Sequence, residues 1–150
     1  MNPGLQPMEP KPKFSATFAA DLTAIEPVVE GVMAVARSSQ AVAGRELEIE
    51  TSLREALANA IIHGSGKDPT KSVQCSAEEQ NGEFVILVTD TGGRLEVEKL
   101  PDPTQMENLE LGHGRGVHMM HELMDDVKIV VDKGVKTEVR MIARPRPQAD

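Results

Sequence analysis

"LREALANAIIHG", residues 53–64, is the stretch on which the reading of the whole chain turns. Leu53, Leu57, Ala60 and Ile61 recur at helical spacing, which predicts a helix with those residues toward a core. Glu55, Asn59 and His63 fall four apart, so they form a second, polar line along another face of the same helix. A solvated face is the ordinary account of such a line. Whether a carboxylate, an amide and an imidazole in register do chemistry depends on what flanks them.

The chain has 150 residues, which suits one domain with a sizeable core. Hydrophobic residues make up 39%, while Trp and Tyr are absent and only three Phe occur. Leu, Ile, Val, Met and Ala must therefore build the core, and the eight Met read as its filler. A formal charge of −8 lacks the basic footprint of a nucleic-acid binder. An anionic ligand would have to be held by local donors instead of the global field. Cys75 is the only cysteine, which excludes an intrachain disulfide and fits a reducing compartment. The start "MNPGLQPMEPKPK" lacks the apolar segment of a signal peptide, and no apolar run is long enough to span a bilayer. The expectation is a soluble cytoplasmic domain with neither nucleic acid nor membrane as partner.

Residues 1–12, with Pro3, Pro7, Pro10 and Pro12, read as an extended tail, and 144–150 as a second one. Between them, 13–143 form the domain. "KFSATFA" alternates Phe14, Ala16 and Phe18 as a half-buried strand does. From Asp21, a candidate N-cap, the period becomes helical through Leu22, Ile25, Val28, Val29, Val32, Met33 and Val35, with Pro27 in the early turns. The opening helix spans about 46–63 and stops near Gly64. Val73, Cys75 and Ala77 alternate in a strand that turns at Asn81-Gly82 into "EFVILVTD", a central strand ending at Asp90. "TGGRLEVEKLPDPTQMENLELGHG" is a long loop of the functional kind. A helix through "RGVHMMHELMDD" and a hairpin turning near Lys133-Gly134 close the chain. This order predicts an α+β fold: a two-layer sandwich whose mixed, mostly antiparallel sheet is covered on one face by helices.

Three stretches now stand in order: "EALANAIIHG", "VTDTGG" and "GHGRGVHMMHELMDD". Over about residues 13–143 the sequence resembles the Bergerat-fold (GHKL-type) ATP-binding domains, and within them the small anti-sigma-factor serine/threonine kinases. The resemblance implies that Asn59 coordinates Mg²⁺ through its amide oxygen, a hard ligand for a hard ion whose shell the nucleotide phosphates complete. Glu55, one turn earlier on the same side, can take the proton of an incoming hydroxyl or orient it, where a surface salt bridge is the structural alternative. His63 either lines the phosphate pocket or caps the helix. In the second stretch, Asp90 can accept a hydrogen bond from the adenine amine, and Gly92 lets a flat base approach the backbone. The family pattern Asp-x-Gly-x-Gly is not kept, because Arg94 stands where its second glycine falls. Thr137 matches the family's Thr that assists adenine binding. In the third stretch, Gly112, Gly114 and Gly116 alternate just before a helix, so backbone N–H groups can face phosphate, and Arg115 adds a charged donor.

No P-loop pattern occurs. His113, His118 and His121 with Asp125 invite a metal reading, but no tight Cys/His pattern supports it and a helix surface accounts for His118 and His121. Glu122, Asp125 and Asp126 read as a solvated acidic edge. The implied activity is an ATP- and Mg²⁺-dependent kinase that phosphorylates a STAS-type antagonist and also sequesters a sigma factor. The resemblance also implies a homodimer through the first strand and helix. The alternative is a non-catalytic ATP-binding module that switches a partner.

Overall fold

The computed structural model describes residues 11–93 and 112–146, with 112–116 described by backbone alone. Strand β1 (Lys13–Ala19) alternates half-buried Phe14, Ala16 and Phe18 with exposed neighbours. Asp21 then caps a single 3-10 turn, Leu22–Ala24, by accepting the Thr23 N–H at 2.9 Å. That turn leads straight into α1 (Ile25–Ala36), so the expected cap lies one turn ahead of the α-helix proper. Helix α2 (Glu46–Asn59) follows and passes directly into one turn of π-helix, Ala60–Gly64. Strands β2 (Ser72–Gln80) and β3 (Glu83–Asp90), helix α3 (Gly112–Leu123), and strands β4 (Asp126–Asp132) and β5 (Lys136–Ala143) complete the order.

The sheet runs β1-β2-β3-β5-β4, and every neighbouring pair is antiparallel. The sheet, expected to be mixed and mostly antiparallel, is not mixed: it is antiparallel throughout the described residues, because hairpins and antiparallel neighbours make every pairing. Asn81 (φ 52°) and Gly82 (φ 81°) supply the left-handed turn that joins β2 to β3. β3 lies at the centre, with Phe84, Ile86 and Val88 turned inward under the helices. Leu53, Leu57 and Ile61 from α2 and its π turn, Val32 from α1, and Met120 from α3 fill the layer between. Met33, Met124 and Met141 join them, as filler Met should. Gly31 lets α1 lie close on β1, because a Cβ there would stand 2.2 Å from the Phe14 ring.

Magnitudes say what holds α2 in place. Arg54 bridges Glu26 (2.6 Å) and Glu50 (3.2 Å), but these groups are well exposed, and such pairs are worth roughly 0–1 kcal/mol. Burying a single leucine such as Leu57 contributes about 1.5–3 kcal/mol. Packing dominates.

The expected solvated acidic edge forms at the junction of α3 and β4. Glu122 and Asp126 are exposed, with Glu122 3.0 Å from His118 one turn back. Asp125 is exposed as well, and it has a further role that the sequence reading did not give it: its Oδ2 accepts from Arg45 at 2.8 Å and from the Arg144 N–H at 2.6 Å. Partial burial pushes its pKa up, but the Arg144 N–H and the Arg45 guanidinium outweigh that and hold it below the usual value. The sequence could not show this, because Arg45 lies eighty residues away. The long loop with Arg94, and the outer parts of both tails, lie outside the described residues.

Candidate functional site

β3 ends inside the protein. Asp90 is 2% exposed, paired in register with Val73 of β2 on one side and Thr137 of β5 on the other. A carboxylate in that position is costly unless it is hydrogen-bonded. Its Oδ1 accepts the backbone N–H groups of Gly92 and Gly93, both at 2.9 Å. Desolvation still wins and raises its pKa, against the pull of Gly93, Gly92 and Thr137 toward the charged form. The Thr137 hydroxyl is buried and has no hydrogen-bond partner of good geometry; the same holds for Ser65. Buried hydroxyls without partners are uncommon and call for a ligand or water.

The π turn shapes the wall opposite. The Ser65 N–H reaches back five residues to the Ala60 carbonyl at 2.9 Å, which widens the helix by one residue just after Asn59. It brings Gly64 against Asp90: a Cβ on Gly64 would stand 2.0 Å from Asp90 Oδ2. A Cβ on Gly92 would stand 2.0 Å from the Gly64 carbonyl oxygen. The two glycines and the carboxylate thus interlock without side chains between them. Gly93 (φ +60°) packs on the β4–β5 turn, where a Cβ would meet the Asp132 oxygen at 2.6 Å, and its carbonyl accepts the Gly134 N–H at 3.2 Å. That contact accounts for the adjacent pair Gly92-Gly93.

Asn59, the last residue of α2 before the π turn, is 7% exposed, and its side chain makes no hydrogen bond among the described residues. Glu55, one turn earlier, is half-buried and has no ion pair among the described residues, whereas its neighbour Arg54 is fully engaged. His63 lies half-buried within the π turn, so the four-residue line from Glu55 breaks after Asn59.

The structure thus brings Asp90, Gly92 and Thr137 together, with Asn59 on the adjoining helix end. It adds Gly64 and Ser65, which the sequence offered only as a helix stop. Helix α3 begins at Gly112, so Gly112, Gly114 and Gly116 occupy its first turns and not a loop ahead of it. The Arg115 side chain lies outside what is described. The polar groups fit an adenine nucleotide in kind, with a buried acceptor at Asp90 and a buried hydroxyl at Thr137, whereas the space at Gly64 and Gly92, expected at Gly92 to admit a flat base, is filled by their packing on each other and on Asp90. The site also fits Mg²⁺ bound beside phosphates, since Asn59 offers an uncommitted amide oxygen.

Residues 18–143 match the histidine kinase-like ATPase domain, and the chain belongs to that family. Over 94 residues it is 36% identical to the anti-sigma F factor of Halalkalibacterium halodurans, a match covering 61% of this chain and 64% of that one. It is 33% identical over 96 residues to the anti-sigma F factor of Clostridium perfringens, covering 63% and 69%. The chain thus spans somewhat under two thirds of the first of these relatives. In fold it is similar to a crystal structure of RsbU and RsbW domains from Mycobacterium tuberculosis, with TM-score 0.58, 18% identity, and coverage of 90% of this chain and 32% of that one. Among the described residues no helix is long and apolar enough to cross a membrane.

Proposed function

We propose that this domain binds Mg-ATP and transfers the γ-phosphoryl group to a serine or threonine hydroxyl of a STAS-type antagonist protein, acting as an anti-sigma factor. The observation that carries the reading is the buried Asp90 carboxylate, packed against Gly64 and Gly92 and flanked by the buried Thr137 hydroxyl. Membership of the histidine kinase-like ATPase family supports ATP as the nucleotide, and the anti-sigma F factors that the chain resembles suggest the partner class.

Asp90 accepts the adenine amine and Thr137 completes the polar edge of the base pocket. Asn59 holds Mg²⁺, which when bound supplies charge neutralisation on the phosphate oxygens. The first turn of α3 offers the free N–H groups of Gly112 and Gly114 to the phosphates, with Arg115 as a charged donor, while Gly116 lies one turn in, where its N–H belongs to the helix. Glu55 takes the proton of the acceptor hydroxyl as its oxygen bonds to phosphorus and the bond to the ADP oxygen breaks. β1 is an edge strand of the sheet, which suits the proposed homodimer surface.

The test is transfer of label from γ-labelled ATP to a STAS partner, with calorimetry of ATP binding alongside. The wild type should label the partner, and Glu55→Gln should bind ATP normally yet lose transfer about 100-fold or more. ATP binding without transfer by the wild type would leave the non-catalytic module. Equal transfer by the variant would remove Glu55 from its role.

A further inference from the structure

Arg45 is 3% exposed, the only buried cation among the described residues, although it stands at the N-cap of α2. Its Nη2 donates to the Leu123 carbonyl, at the last residue of α3, at 2.8 Å. Its Nη1 donates to Asp125 Oδ2 at 2.8 Å and to the Arg144 carbonyl at 3.3 Å. Nε is buried without a hydrogen-bond partner, with Glu48 Oε2 3.7 Å away. One guanidinium therefore joins the start of α2, the end of α3 and the end of β5. Lysine cannot reproduce this, because it lacks the planar fork.

The place it grips has consequences for the other end of the helix. A helix end leaves carbonyls unpaired and carries partial negative charge, and Arg45 answers both at the C-terminus of α3. The opposite end begins Gly112-His113-Gly114-Arg115-Gly116, a run with little intrinsic helical preference. The direction of α3 is thus set from its C-terminal end, where Met120 and Met124 are buried and Arg45 holds the last carbonyl. A twelve-residue helix carries that direction over roughly 18 Å.

We infer that Arg45 is a positioning residue for the phosphate half of the nucleotide site: by clamping the far end of α3 it fixes where the glycine-bearing turns stand. The inference rests on the nucleotide reading above and concerns one half of that site only. The adenine half is built from β3, β5 and the π turn, and no contact of Arg45 reaches it. Loosening the clamp should weaken ligands in proportion to the phosphates they carry.

The experiment measures ATP and adenosine affinity by calorimetry for the wild type, Arg45→Lys and the double variant Arg45→Met/Asp125→Leu, with thermal melts for each. The double variant replaces the ion pair by apolar groups, an exchange that cores often tolerate. The double variant should bind ATP about tenfold more weakly, with Arg45→Lys between it and the wild type, while adenosine affinity stays within about twofold. Unchanged ATP affinity in a folded variant would overturn the inference, as would equal losses for ATP and adenosine. A wild type that binds neither ligand would instead overturn the nucleotide reading itself.

Discussion

At Asp90 two demands conflict: a strand that ends in the core excludes water, and a carboxylate keeps its charge only where water or hydrogen bonds support it. Two backbone N–H groups settle only part of the conflict, and its pKa stays raised. Below the ordinary value of 3.8 the group is protonated folded and unfolded alike, so nothing is lost. As pH rises from there through the raised folded value, ionisation in the fold becomes a cost, and above it the cost stands in full. Asn cannot ionise, yet its oxygen can still accept from Gly92 and Gly93. Asp90→Asn should therefore gain stability relative to the wild type as pH rises through that window, read from urea midpoints, and should lose ATP affinity by about tenfold or more. A stability gap that does not move with pH, or unchanged ATP affinity, would contradict this. Asp90 was legible because an Asp closing an apolar run demands a partner. Arg45 was not: its partners Asp125, Leu123 and Arg144 lie about eighty to a hundred residues away, and no spacing rule reaches that far.

At the scale of elements, periodicity carried most of the reading. β1, α1, α2 and both hairpins fall where alternation, helical spacing and the Asn81-Gly82 turn put them. The π turn escaped, since inserting one residue into a helix leaves the apolar spacing almost unchanged while rotating everything after Asn59. The start of α3 escaped too, because three glycines argue against a helix until tertiary contacts at its far end hold it. The interlock of the π turn with β3 can be tested by adding one methyl. Gly92→Ala would put a carbon 2.0 Å from the Gly64 carbonyl oxygen, a backbone atom that no rotamer change can move. Overpacking of this kind costs about 1–3 kcal/mol, which for a domain of this size lowers Tm by roughly 2–12 °C. An unchanged melting curve would show that the two segments are not locked together.

For the molecule as a whole, the described residues form one helical layer on one antiparallel sheet, and the proposed nucleotide site draws on the end of β3, the π turn and the start of α3. The net charge of −8 works against any polyanion at long range, so the proposed site must be carried by local donors and a cation. That requirement falls on Asn59, at the junction of α2 and the π turn. Calorimetric titration of ATP with and without Mg²⁺, for the wild type and Asn59→Ala, tests the account most directly. The wild type should bind Mg-ATP with a Kd on the order of micromolar and more tightly than metal-free ATP, and Asn59→Ala should lose that difference. No heat from the wild type at high protein concentration, or an unaltered metal dependence in Asn59→Ala, would contradict it.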